Sequence, residues 1–458
     1  MTAMPRIPSI LSCALVLSLT ACGGGAPPKS APAKGEPEGG RVQPVAAAPE
    51  GPEGAPAAVE PVAAKPKPQS PTDLLAYDEA DPLGDLESAD SISGPAPESS
   101  LRPGGPCREL GRPQRLTAAD VRASVAAVGD GFVVAGYEKR GDAERVMLLA
   151  VPGDGLPRPL RMLALEHPHP TARLAPPGMH AADGHHVSVA VTDGKGRLLM
   201  SEVQVARGSA GRLREIATGV DTRFAPAVAH VDKGTLVAWT VGSTPMGTHF
   251  ALVPADDKPP ELADITPPRQ GAAAATFVDG ASPPVLLAID ARNGMSPLIR
   301  IAFDKEGIPS PPTPEGPVGM VSSAPQLAAA RTTLGTRALY TGLGSASTSA
   351  VGMLAIGDKG AVPEALVKGT AYGRLHVDAV AAGPYLLLAA DAPLKPGKQP
   401  PHEVRISRLS DDGTPATSTL RGPGKDTTQP SIARADSGIV AVTYRSEGGL
   451  YISRMRCE

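Results

Sequence analysis

Short apolar runs follow Asp/Gly-rich turns through the C-terminal three quarters of the chain. The stretches "AAVGDGFVVAGY", "AADGHHVSVAVT", "AHVDKGTLVAWT", "TFVDGASPPVLLAID", "AARTTLGTRALYTG", "AVAAGPYLLLAAD" and "ARADSGIVAVTYRS" share one layout. A short strand meets a turn glycine, and an apolar strand follows. The glycines are Gly131, Gly184, Gly234, Gly280, Gly335, Gly383 and Gly438, which spaces successive units about 46 to 55 residues apart. A fixed period in that range is the mark of stacked modules. Helical periodicity is scarce.

Each unit predicts four strands. In the first, "SVAAV" leads to the turn and "FVVAGY" follows it. A variable loop then precedes "RVMLLAVP", and "RPLRMLAL" ends the unit. The second unit repeats the scheme with "GRLLMSEVQVA" and "GRLREIAT". The Asp-Gly turns read as hairpin chemistry, glycine supplying the positive φ.

The second strand is apolar at nearly every position, as in "VLLAI" and "YLLLAA". A strand with one wet face alternates, so a continuous run means that both faces are covered. Its small residues predict close approach at a crowded axis. Sheets stacked radially satisfy both demands. The expected fold is therefore all-β: a seven-bladed β-propeller of four-stranded antiparallel blades over residues 105–458. A string of β-sandwiches, two repeats to each, is the competing arrangement. Seven units is an odd number for it, and no Cys…Trp…Cys pattern appears. Blade counts of six and eight stay open.

The seventh unit, "PSIARADSGIVAVTYRSEGGLYISRMRCE", stops after its third strand. The segment "CRELGRPQRLTA" resembles the missing fourth strand. The start of the domain is thus expected to complete the last blade and to bring Cys107 to Cys457.

Ahead of the repeats the composition changes. Residues 22–104 are dominated by Pro, Ala, Gly, Ser and Glu, which cannot bury enough apolar surface to offset chain entropy. They are expected to be a disordered tether, and some 80 residues of random coil reach about 50 Å. Within it, residues 72–93 carry Asp73, Asp78, Glu79, Asp81, Asp85, Glu87 and Asp90 with no basic residue, and also Leu74, Leu75, Tyr77, Leu83 and Leu86. That segment suits either an acidic docking motif or a solvated spacer.

The first residues, "MTAMPRIPSILSCALVLSLTAC", hold one arginine and then an apolar run too short to span a bilayer but suited to export. Leu19-Thr20-Ala21-Cys22 resembles the bacterial lipobox. The resemblance implies that residues 1–21 are a lipoprotein signal peptide and that Cys22 becomes the lipidated first residue of the mature chain. Its acyl chains would hold the protein to a lipid bilayer. Gly23 stands where aspartate is the usual inner-membrane signal, so an outer membrane is favoured in a two-membrane cell. Of four cysteines, Cys13 leaves with the signal and Cys22 carries lipid. Cys107 and Cys457 remain, and an exported setting predicts a disulfide between them.

Net charge is −3, so no nucleic-acid partner is indicated. Nucleotide-cradling GxxxxGK[ST], HExxH and GxSxG motifs are not found, and no cofactor is expected. Aromatic residues are 3% of the chain, which weakens a sugar-binding reading. Trp239 is expected in the core. Five of nine histidines, His167, His169, His180, His185 and His186, crowd one segment and are the candidates for a metal. Surface histidines on a connecting loop are the plainer reading. The loop from Asp391 carries Lys395, Lys398 and His402, which suit an acidic partner or plain solvent.

Three functions fit: a tethered propeller that binds or scaffolds another envelope protein, a hydrolase or lyase with its site in a central pocket, and a histidine-dependent metal module. The oligomeric state is not encoded in these patterns.

Overall fold

In the computed structural model, thirty strands and no helix occur among the described residues. Those are residues 101–102 and 105–458, apart from 119–120, 141, 171–174, 212, 243–246, 256–260, 265–271, 291–296, 319–324, 334, 344–348, 358–363, 369–374, 395–400, 410–414 and 448. Outside them lie residues 1–21, expected to be a signal peptide, and the expected tether of residues 22–104 apart from 101–102, with Cys13, Cys22 and residues 72–93 among these.

Seven antiparallel sheets follow one another along the chain. Blade 1 consists of Arg122–Val128, Gly131–Arg140, Ala143–Val151 and Arg158–Leu165, each paired with the next. Blade 2 repeats this order with Gly178–Ala181, His186–Thr192, Leu198–Gln204 and Arg214–Ala217, and adds Ser209–Ala210 beside the third strand. The first strands of blades 3 to 7 are Ala227–Val231, Ala272–Phe277, Leu327–Thr332, Val377–Ala382 and Thr428–Arg434.

The reason for a ring is visible in where the apolar side chains go. Seven clusters of buried residues occur, and each straddles the seam between two neighbouring blades. Val133 and Ala135 turn toward blade 2, while Phe132 and Val134 turn toward blade 7. Consecutive residues of one strand thus serve two seams, which is why the sequence shows no alternation. Each valine or phenylalanine so placed contributes about 1.5–3 kcal/mol on burial.

The last blade is completed from the far end of the chain. Cys107–Glu109 and Gln114–Thr117 both pair with Gly449–Cys457. Cys107 stands directly opposite Cys457, and the two form a disulfide across a sequence separation of 350. Leu101 is already bound into the fold through a bridge to Leu420 on the outer strand of blade 6.

Two expectations need correction. Gly234, Gly280, Gly335, Gly383 and Gly438 take the positive φ expected of the turn glycines, but Gly184 and Gly131 do not; Gly131 is the first residue of its strand, and Gly129 takes φ 55° instead. The small residues nearest the axis belong to the first strand of each blade, not the second, which sits one layer further out.

Candidate functional site

The seven first strands enclose an axial cavity of about 460 Å³ to which every blade contributes. Much of its wall is alanine, for example Ala126, Ala275, Ala328 and Ala379. The polar positions among them are mostly ties between blades. Asp378 in blade 6 accepts from Ser431 Oγ (2.8 Å) and from the Ile432 amide (3.0 Å) in blade 7. Ser431 Oγ in turn accepts from the Val125 amide of blade 1 at 3.2 Å. Ser124 Oγ donates to Pro177 O of blade 2 at 2.7 Å. At the end of the blade 4 strand, Asp279 bonds the blade 5 backbone through Ala329 and Arg331, and its carboxylate accepts from the Ala381 amide at 2.8 Å.

Burial sets the state of both acids. It raises the Asp378 carboxyl to about 6, with the Asp279 charge adding to the shift and three hydrogen bonds opposing it. It also raises Asp279 above the usual carboxylate range.

At one mouth of the cavity, His376 Nδ1 lies 2.5 Å from Asp391 Oδ2. Asp391 is fully buried and also accepts from the Gln429 amide at 2.9 Å. Gln429 adopts φ 55° there, and its Oε1 is buried without a partner. Arg122, Gln326 and Arg223 share this rim. Arg223 is held by Asp221, with Nη2–Oδ2 at 2.5 Å. A buried carboxylate that grips one imidazole nitrogen fixes the ring and leaves Nε2 as the nitrogen available to a ligand.

The histidine segment does not converge. His167 and His169 lie in the connection from blade 1 to blade 2, whereas His185 and His186 lie at the hairpin where the first strand of blade 2 ends. A strand runs between these places, so the pairs occupy opposite rims. His169 is buried, with Nδ1 2.5 Å from Glu144 Oε2, a carboxylate 25 residues upstream. His167 lies 3.6 Å from Glu166. His186 bonds Asp183 Oδ2 at 2.9 Å, and the His185 amide donates to the same carboxylate. His180 meets His230 of blade 3, ring to ring at 5.2 Å. Burial pushes His180 down to about 4 and lowers His230 as well. His230 sits in a hydrogen-bonded group with Ser188, Thr235 and Glu202 on the blade 2–3 seam. Among the described residues no group of three or more His, Cys, Asp or Glu is placed to hold a metal.

The other candidates are placed as follows. His402 bonds Asp426, while Lys395 and Lys398 lie outside the described residues. Trp239 is buried and stacks on His249. Sequence reasoning missed His376, Asp391, Asp378 and Asp279. Their partners come from other blades or from the far ends of hairpins, so no local spacing marks them.

No family model matches the chain, and no curated protein matches it. Solved structures with similar folds include AofleA from Arthrobotrys oligospora, at 9% identity and TM-score 0.42, covering 64% of this chain and 85% of that one. The SapL1 lectin, solved with alpha methyl fucoside, shares 10% identity at TM-score 0.42 over 66% of this chain and 98% of its own. TolB from Acinetobacter baumannii shares 12% identity at TM-score 0.38 over 68% and 82%. At these identities the likeness says nothing of what this chain binds.

Proposed function

We propose that the chain is a lipid-anchored envelope protein whose propeller is a binding or scaffold module for another envelope protein. One observation carries the reading. Apart from Asp436, exposed at the rim, the carboxylates that line the cavity, Asp378 and Asp279, each turn an oxygen to amides or a hydroxyl of other strands. They hold the ring of first strands together, which suits a fixed platform that presents its loops. Cys22 is the proposed attachment to the bilayer, Gly23 favours the outer membrane, and the Pro/Ala-rich segment gives the platform reach.

Fractionation of cells that express Cys22→Ser tests the anchor. The chain is expected to leave the membrane fraction while the propeller keeps its melting temperature; retention in the membrane fraction would place the anchor elsewhere. The same soluble variant, immobilised, is expected to hold one envelope protein at near-equal stoichiometry, and holding none at micromolar concentration ends the reading.

The pairing of His376 with buried Asp391 at the cavity mouth favours a second reading, a hydrolase or lyase that uses Nε2 as a base. Turnover of an ester, lactone or glycoside probe that His376→Gln abolishes would establish it in place of the first.

A further inference from the structure

The seam between the last and first blades carries a patch that the fold leaves open. Arg108 and Arg456 stand opposite each other where Cys107–Glu109 pairs with Gly449–Cys457, and both are exposed. Like charges directly across a sheet repel. Neither forms an ion pair with a described residue. Arg112 is exposed beside them, and Leu110 is 41% exposed. Alternation puts Arg108, Leu110, Arg454 and Arg456 on the side of this edge that faces blade 1. Glu109 turns the other way and accepts from Ser453 Oγ at 2.7 Å.

Across the seam, the blade 1 turn is pinned to this edge. Gln114 Nε2 donates to Gly155 O at 3.2 Å, and Arg454 Nη1 donates to Pro152 O at 2.8 Å. That turn presents Leu156, 57% exposed, next to the arginines. Its one carboxylate, Asp154, acts on Arg454. Glu458, exposed two residues beyond Arg456, is tied to the same edge by its amide, which donates to Pro106 O at 2.9 Å. The patch thus sets Arg108, Arg112, Arg454 and Arg456 against Asp154 and Glu458, a cationic excess beside two bare leucines, sited at the point where the chain enters the last blade.

We infer that residues 72–93 of the same chain dock on this patch. The segment has the complementary chemistry: seven carboxylates, no base, and Leu74, Leu75, Tyr77, Leu83 and Leu86 interspersed. Arginine clusters are a standard receptor for acidic motifs. Connectivity supports the pairing as well. From Ser93 to Leu101, the first described residue, there are eight residue steps, or at most about 28 Å of extended chain. A site that close to its own ligand meets it at an effective concentration on the order of millimolar, so individually weak ion pairs suffice. Docking also relieves the Arg108–Arg456 repulsion and covers Leu110 and Leu156.

Hydrogen exchange on the full chain in neutral detergent tests this. At about 20 mM salt the amides of residues 74–86 are expected to exchange about tenfold more slowly than an unstructured peptide. At about 0.5 M salt, where the Debye length shrinks to about 4 Å, that protection is expected to vanish. Arg108→Glu with Arg456→Glu is expected to abolish it at low salt while disulfide and melting temperature persist. Adding Asp81→Arg and Asp85→Arg to that pair should restore it. Unstructured-chain exchange at low salt in the unaltered protein overturns the inference, as does protection that ignores the arginine pair. A third arm uses phosphatidylglycerol vesicles with the Cys22→Ser chain, which lacks the proposed acyl anchor. Deleting residues 72–93 should strengthen vesicle binding by uncovering the patch. Binding that needs the arginines equally with and without the segment shows a lipid-facing patch and overturns the inference.

Discussion

A carboxylate buried between strands keeps its proton to higher pH than the same group in the unfolded chain. Asp378, raised to about 6, is such a group, and the ordinary value is about 3.9. The native state therefore binds the proton more tightly than the unfolded state. The stability this contributes is fully present below about pH 4 and is lost as pH rises through about 6. Between pH 7 and 5 the depressed His180 and His230 act the other way, so the expected result is a difference: on acidification the native protein gains melting temperature relative to Asp378→Asn, which is neutral throughout, and equal pH profiles of the two would contradict the assignment. Nothing in "VDAVAA" marks this aspartate, because the Ser431 and Ile432 groups that face it lie 53 and 54 residues away. The histidines pose the opposite problem. Their crowding is plain in the sequence, but one strand carries them to opposite rims, and the carboxylate that claims His169 is Glu144.

The first strand of each blade must come close to its neighbours around the axis, and at Gly178 it does so without room for a side chain. A Cβ there would stand 2.1 Å from Pro226 O at the start of blade 3. The contact is with backbone, which cannot swing away. Gly178→Ala should therefore push blades 2 and 3 apart and cost about 1–3 kcal/mol, read as a lower urea midpoint at unchanged slope. Hairpins and strand number were legible at this scale, because turn residues and apolar runs are local signals. Radial position was not. An unbroken apolar run reports that both faces are covered, and the second strand meets that condition without lining the axis. Gly129 and Gly131 flank a single aspartate, and composition alone does not say which of them takes the positive φ.

Across the whole molecule, closure rests on the pairing of chain start with chain finish. This was readable because it needs only a count of strands and of cysteines: one blade lacks a strand, one strand lacks a blade, and Cys107 and Cys457 fall at the two ends. Cys457→Ser should lower stability by about 2–5 kcal/mol. In calorimetry, the native protein with reductant should melt with the variant; identical melting of variant and oxidised native protein would remove the bond from the account. The covalent link also decides how the domain meets mechanical load. A pull from upstream first strips the short bridge at Leu101, then arrives at Cys107. There the sulfur bond hands the tension to Cys457 at the opposite chain end, in the strand beside it, so the edge strand cannot be peeled away one hydrogen bond at a time. A domain pulled from that side would yield elsewhere first, and reduction would expose the edge strand to peeling.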